Sequence, residues 1–485
     1  MKLGTKWLAA AAVAFAATAS RAMFMDPPEA PVKRLLTNIA KELEKTPDDP
    51  HLLYLAGRTH AVAYAMGEDA KARAWPADGS QRGGPKVELP EFSTRSFDRL
   101  RFEGEADEVR LGHLCDGIRL LRRASELAKA PPETRSWDDD RPVLFLGLAW
   151  LLDDGSRFAP KLGHPEGVKT NDAVPVTERA AYDGYIQQLT AKTEDERKQA
   201  YVSLRRSLSR CWPSLRANVD AKDPLVREKA GALLTRWWQD QALDAYRKAF
   251  ALTRERDLKE VKEDGTCQGT FSIARESGQA ILRLLDDFPD PDANAKEAKA
   301  VKADLATFDS PGGFSVTPMI FPVSRAASLA DLLAENRTAR FDLAGDGVVR
   351  RWPWPSSDAG FLVWSPEGGK PIASGRQLFG ARTWWIFWRD GFEPLRMLDD
   401  DGDGRLSGAE LDGIGVWRDR DGNGVCDAGE VESAAAFGVA WIAVTATRTE
   451  DGVPANDRGI GLADGSTRPT YDWTPRSIAE PRARE

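Results

Sequence analysis

Histidine and cysteine are scarce in this chain, four of each in 485 residues, and that scarcity removes several chemistries at once. His51, His60, His113 and His164 fall at no zinc-ligand spacing, and neither H-E-x-x-H nor G-x-S-x-G occurs. His51 and His60 flank a predicted core face and read as surface or satisfied interior groups. Cys115, Cys211, Cys267 and Cys426 make no C-x-x-C pair. In an oxidising compartment they allow up to two disulfides; as buried thiols they pack like small hydrophobes. No G-x-x-x-x-G-K-[ST] phosphate loop or dinucleotide fingerprint is present. Excess basic charge is missing too: the formal net charge is −8, so nucleic acid is not an expected partner. No local motif nominates a catalytic residue, and a non-enzymatic role is expected.

Long apolar runs are confined to the start of the chain. TWWIFW at Thr383–Trp388 is only six residues, against the ~20 that span a bilayer. The first 22 residues instead carry Lys2 and Lys6, an apolar run from Trp7 to Ala17, and small residues permitting cleavage after Ala19 or Ala22. That layout predicts a secretory signal peptide over 1–22. No cysteine stands at the cleavage point, which argues against a lipoprotein. The mature chain is expected to be exported, periplasmic or extracellular, with no integral membrane segment after cleavage.

What the chain does have divides it in two. With 42% hydrophobic and 29% charged residues, it builds real cores and does not read as disordered. From about Pro31 to Lys302, apolar residues recur at three- and four-residue spacing. Leu35, Leu36 and Ile39 line one helix; a Pro-Asp-Asp-Pro turn leads to a second with Leu53, Leu55, Val62 and Tyr64. A related unit runs from Cys115 to Gly155, and a further helix from Gln241 to Arg256. LFLGLAWLLDDG at Leu144–Gly155 and ALDAYRKAFAL resemble tetratricopeptide helices, although the units do not recur at the 34-residue period of such arrays. The resemblance implies an irregular helical-hairpin scaffold for protein interaction.

Ser-Pro-Gly-Gly at Ser310–Gly313 breaks this pattern. Beyond it, short apolar runs alternate with Gly, Asp and Pro, and nine of the sixteen tryptophans lie from Trp352 onward. The tryptophan-rich RRWPWP and TWWIFWRDGF read as core under long loops or as a binding platform, for instance for sugars. The expected organisation is a multidomain chain: a mostly α domain over 23–310, a small α+β domain over 311–475, and a polar tail over 476–485.

Chemistry concentrates at LDDDGDGRLSGAELDGIGVWRDRDGNGVCDAGE, from Leu398 to Glu430. Eleven carboxylates lie between Asp399 and Glu432, against three arginines. A twelve-residue EF-hand loop presents oxygens from positions 1, 3, 5, 7 (a carbonyl), 9 and 12, with glycine at 6 where the chain turns sharply. Asp399, Asp401, Asp403, Arg405, Ser407 and Glu410 fill those positions, with Gly404 at the turn. Asp419, Asp421, Asn423, Val425, Asp427 and Glu430 fill them again, with Gly424. Solvated Asp-Gly turns are common, but two full matches 20 residues apart point to calcium. Leu406 and Cys426 at position 8 predict a short strand bridge between paired loops. Only eight residues, LDGIGVWR, separate the loops, about 12 Å as a helix, and Gly413 and Gly415 disfavour even that. A structural site is therefore expected rather than a sensor that opens.

A longer run, from about Phe341 to Val444, resembles the calcium-loop region of bacterial secreted RTX-associated, Frp-type proteins. LFG at Leu378–Gly380 and VWRDRDGNG at Val416–Gly424 carry it most specifically. In that family the stretches corresponding to Asp342–Gly347 and Ser365–Gly375 are often calcium loops as well. Here Ala344 and Pro353 stand at ligand positions 3 and 12 of the first, although Asp342, Asp346 and Gly347 survive. Ser365, Gly369 and Lys370 depart in the second, so both read as degenerate scaffolding. Some Frp-type proteins self-cleave at an Asp-Pro bond just before the first loop; here none stands there, the four Asp-Pro pairs at Asp26, Asp49, Asp223 and Asp290 lying far upstream, and nonapeptide G-G-x-G-x-D arrays are absent. The expectation is an exported calcium-binding protein with a helical interaction scaffold. Its rival is a secreted enzyme or carbohydrate-binding protein whose calcium sites are only structural.

Overall fold

A computed structural model describes residues 30–67, 106–129, 141–165, 176–264, 273–286, 291–308, 316–345, 349–366 and 371–478. The expected signal peptide, Cys267 and the end of the polar tail lie outside the described residues.

The chain enters through a helical hairpin, α1 (Val32–Lys45) and α2 (Pro50–Met66). Asp49 caps α2, its carboxylate accepting the His51 and Leu52 N–H groups at 2.8 and 3.2 Å. Pro50 follows in the first turn, where a missing N–H is harmless. A second hairpin comprises α3 (Ala106–Leu127) and α4 (Arg141–Gly155). Then come α5 (Ala159–Leu162), α6 (Val176–Gln188), α7 (Glu194–Arg206), α8 (Leu208–Asn218) and α9 (Pro224–Asp264). The predicted helix Gln241–Arg256 is no separate element but part of α9, which is 41 residues long. After Pro224 only Gly231 weakens that helix, so nothing in its sequence stops it. α10 (Ile273–Asp286) and α11 (Pro291–Phe308) complete the helical region.

Strands take over at β1 (Met319–Pro322), followed by α12 (Leu329–Leu333), β2 (Arg337–Phe341), β3 (Arg350–Trp354) and β4 (Ala359–Trp364). α13 (Phe392–Arg396), β5 (Arg405–Ser407), β6 (Ile414–Trp417), β7 (Val431–Ser433) and α14 (Ala434–Phe437) come next. β8 (Val439–Ala443), β9 (Arg448–Glu450), β10 (Val453–Leu462) and β11 (Thr467–Asp472) close the domain. Its main sheet is antiparallel, in the order β5-β8-β10-β11-β1-β4-β6-β7 with β9 beside β10; β2 and β3 form a separate ribbon. A helical region is thus followed by a domain built on antiparallel β-structure.

Side-chain alternation splits the core between the two faces of this sheet. Leu362 and Trp364 of β4 join Met319, Phe321 and Val416 in one apolar cluster with the helices, including Leu35 and Leu55. Phe361 and Val363 face the other way, onto Trp352 and Trp354 of the ribbon. The tryptophan-rich segments are core: Trp352, Trp354, Trp384, Trp385 and Trp388 are all buried.

Trp384, Trp385 and Phe387 hold φ of 53°, 61° and 65°, a region that costs bulky residues about 1–3 kcal/mol each. Their turn is held from outside. Tyr54 and Arg58 of α2 donate to the carbonyls of Ile386 and Trp385 at 2.9 and 2.7 Å. Arg376 stacks 4.0 Å above Trp385, and Arg382 4.3 Å above Phe387. Cys115, Cys211 and Cys426 are free thiols, so no disulfide joins any two of them.

Candidate metal centre

Each acidic loop is shaped by its own carboxylates. In the first, Asp399 accepts the N–H groups of Gly402 and Gly404 at 2.7 and 2.9 Å. Asp401 accepts from Asp403, and Asp403 from Arg405, at 3.1 and 2.8 Å. Glu410 folds back to take Asp400 N–H at 2.6 Å and Ser407 N–H at 3.0 Å. These bonds turn the carboxylates inward on a short path, and one oxygen each of Asp399, Asp401 and Asp403 lie within 4.8 Å of one another.

The second loop repeats the arrangement. Asp419 accepts Gly422 and Gly424 N–H, both at 2.8 Å, and Asp421 accepts Asn423 N–H at 3.1 Å. Glu430 takes Arg420 N–H at 2.8 Å and Asp427 N–H at 3.1 Å. Here the closing glutamate joins the cluster: Asp419, Asp421 and Glu430 bring one oxygen each within 4.8 Å. Asn423 donates its Nδ2 to Asp421 and Asp427 at 2.8 and 3.1 Å. Ser407, Asp427 and the side chains of Arg405 and Val425 are exposed, as suits positions that would contribute a carbonyl or act through water. Burial raises the carboxyl pKa of both Asp399 and Asp419 above the usual range, against the pull of the loop amides.

The turn glycines behave as the template requires, with φ of 88° at Gly404 and 74° at Gly424. Their surroundings differ. A Cβ on Gly404 would meet nothing within 4 Å, whereas one on Gly424 would lie 2.8 Å from the Ala339 Cβ and 2.9 Å from the Arg340 carbonyl. Gly404→Ala is therefore expected to cost about 1 kcal/mol of backbone strain. Gly424→Ala should cost at least ~2 kcal/mol, because β2 must also move. Urea unfolding of the two variants checks the order; equal losses would contradict it.

The loops do not pair with each other as position 8 predicted. Leu406 pairs with Ile442 of β8, and Cys426, half-buried, packs with the ribbon cluster. Loop one contains β5, at one end of the strand order, and loop two joins β6 to β7 at the other. The eight-residue connection is not an α-helix: half of it is β6, paired with β4 and β7. Of the degenerate stretches, Asp342 is buried and accepts the Ser374 hydroxyl at 3.1 Å. Position 12 there falls on Pro353 within β3, which offers no carboxylate.

Each loop rests on a different seat, which local spacing could not reveal. Trp354 of the ribbon donates its indole N–H to Asp419 Oδ2 at 2.6 Å, and Trp417 donates to Glu430 Oε2 at 3.4 Å. Loop one meets α1 instead: Arg34 and Asn38 donate to Asp400 Oδ1 at 3.0 and 2.7 Å. Residues 330–472 match the family model described as the SPM domain, a span that runs from α12 to the end of β11 and contains both loops. It covers less than half of the chain. No curated protein matches the chain.

Proposed function

We propose that the two loops bind calcium and that the ions brace the C-terminal domain of an exported protein whose helical half serves as an interaction scaffold. The observation that carries this is the clustering of carboxylate oxygens within 4.8 Å in both loops, around glycines in the left-handed region. Calcium takes six to eight oxygens and supplies the charge such clusters lack. Asp399, Asp401, Asp403, Ser407, Glu410 and the Arg405 carbonyl would hold one ion. Asp419, Asp421, Asn423, Asp427, Glu430 and the Val425 carbonyl would hold the other. Magnesium, which demands tighter octahedral geometry and keeps its waters, suits these sites less. The resemblance to Frp-type calcium regions and the signal-like N-terminus support the same reading. Outside the cell, loops of this class bind at roughly 10⁻⁴ to 10⁻³ M.

Bracing, rather than switching, follows from what flanks the loops. Short strands accompany them, β5 within the first and β6 and β7 on either side of the second, so among the described residues no pair of long helices flanks a loop and stands ready to open.

Terbium, a luminescent substitute for calcium in oxygen sites, tests the second loop directly, because Trp354 and Trp417 adjoin it. Excitation of tryptophan should give saturable terbium emission that calcium displaces and Glu430→Gln abolishes. Absence of sensitised emission, or emission indifferent to Glu430→Gln, would overturn the assignment.

A further inference from the structure

The two loops are built alike but anchored differently. Arg34 of α1 reaches across to the first loop, donating from Nε to Asp400 Oδ1 at 3.0 Å and from Nη2 to the carbonyls of Leu398 at 2.5 Å and Glu410 at 3.3 Å. One turn on, Asn38 donates to Asp400 Oδ1 at 2.7 Å and to the Met397 carbonyl at 3.1 Å. Lys41 completes the row on the Asp400 carbonyl at 2.9 Å. Residues 34, 38 and 41 share one face of the helix, and that face grips both the first turn of the loop and its closing residue. Asp400 stands at position 2, which supplies no ligand, and its carboxylate turns away to α1. Burial works upward on that carboxyl, but the bonds from Arg34 and Asn38 outweigh it and hold the pKa below the usual range.

Nothing equivalent holds the second loop among the described residues. Its position-2 residue, Arg420, pairs with Glu432 of β7 at 3.4 Å, and its seat is the ribbon, through Trp354, Ala339 and Arg340. Both of those contacts are internal to the sheet domain.

We infer that Arg34 and Asn38 are positioning residues of the first loop, and that cation binding there, unlike binding at the second, is coupled to the docking of α1. The inference rests on the calcium reading of the loops. An ion drawing Asp399, Asp401 and Glu410 together fixes the backbone from 398 to 410, and that backbone is the surface α1 holds. Ordering of the loop therefore favours docking of the helix, and by reciprocity docking favours the ion to the same degree. The second loop orders only its own domain.

Hydrogen exchange of α1 in the full chain, with and without calcium, reads this coupling. Calcium should slow exchange over Val32–Lys45 roughly fivefold or more in the wild type and in Glu430→Gln, and have no such effect in Glu410→Gln. In return, Asp400→Asn, which keeps every proposed ligand, and Arg34→Ala with Asn38→Ala should each weaken calcium binding at the first loop by roughly fivefold. Binding at the second loop should not change. Asp400→Asn is the milder variant and keeps the test open if the double substitution misfolds. Slowing in Glu410→Gln equal to that in Glu430→Gln, or undiminished affinity in Asp400→Asn, would overturn the coupling while leaving both calcium sites intact. Calorimetry that finds no calcium binding would overturn the calcium reading itself, and the coupling with it.

Discussion

Trp417→Ala is expected to destabilise the C-terminal domain by about 3–5 kcal/mol, the range for deleting a large buried aromatic. Trp417 is fully buried in β6, the strand between the two loops. Its ring packs 5.2 Å from Phe361, 5.3 Å from Phe341 and 5.9 Å from Trp354, so it ties the sheet to the ribbon. Its indole N–H also reaches Glu430 at 3.4 Å. Removing the side chain opens a cavity and frees the carboxylate that closes the second loop, so stability and second-loop calcium affinity should fall together. Trp417→Phe separates the two effects: much of the ring packing stays and the N–H goes. It should lose less stability while still weakening the second loop. Chemical denaturation and calcium titration of both variants check this. A Trp417→Ala loss under about 1 kcal/mol would show that the ring does not carry the packing assigned to it.

His51→Ala should cost about 3 kcal/mol, because a buried carboxylate loses its shortest partner and keeps Arg396 at 3.4 Å and the Arg389 N–H at 3.0 Å. His51 Nε2 lies 2.6 Å from Glu393 Oε1, and both side chains are buried. The contact joins α2 to α13, one of the places where the helical half meets the sheet domain. Burial alone would raise the Glu393 pKa; the bond to His51 and its charge, with the Arg389 N–H and the Arg396 charge, outweigh that and leave it lowered. A lowered folded-state pKa means Glu393 contributes stability above the ordinary glutamate range, about 4.3. That contribution disappears as pH falls through the lower folded value. The gap in melting temperature between wild type and His51→Ala should therefore be widest near neutrality and shrink as pH drops toward about 3. A gap that stays constant over that range would contradict the role given to the pair.

What the sequence made legible was local. The acidic loops could be picked out because carboxylates and turn glycine fall at fixed offsets, and the structure brings Asp399, Asp401 and Asp403 together, and Asp419, Asp421 and Glu430. The hairpin at Val32–Met66 was legible for the same reason, with the cap and first-turn proline side by side. Errors came where a neighbour in space is remote in sequence. The apolar residue at position 8 predicted a bridge between loops, but Leu406 found Ile442 because the loops stand at opposite ends of the strand order. His51 read as a surface or satisfied interior group; it is the latter, and its partner lies 342 residues away. The grip of Arg34 on Asp400 crosses 366 residues, and no spacing rule reaches that far. His60, placed beside His51 in that reading, meets His113 instead, Nδ1 to Nδ1 at 2.8 Å. Burial, reinforced by His113, lowers its pKa to about 4.

If both loops bind calcium and brace the fold, the melting temperature of the full chain must depend on calcium concentration. A ligand that binds only the folded state stabilises it by about 2.7 kcal/mol per site at a hundredfold excess over Kd. The melting temperature should therefore rise with calcium, less in Glu410→Gln or Glu430→Gln alone, and not at all in the double variant. No rise at millimolar calcium, or the same rise in the double variant as in the wild type, would contradict the calcium assignment.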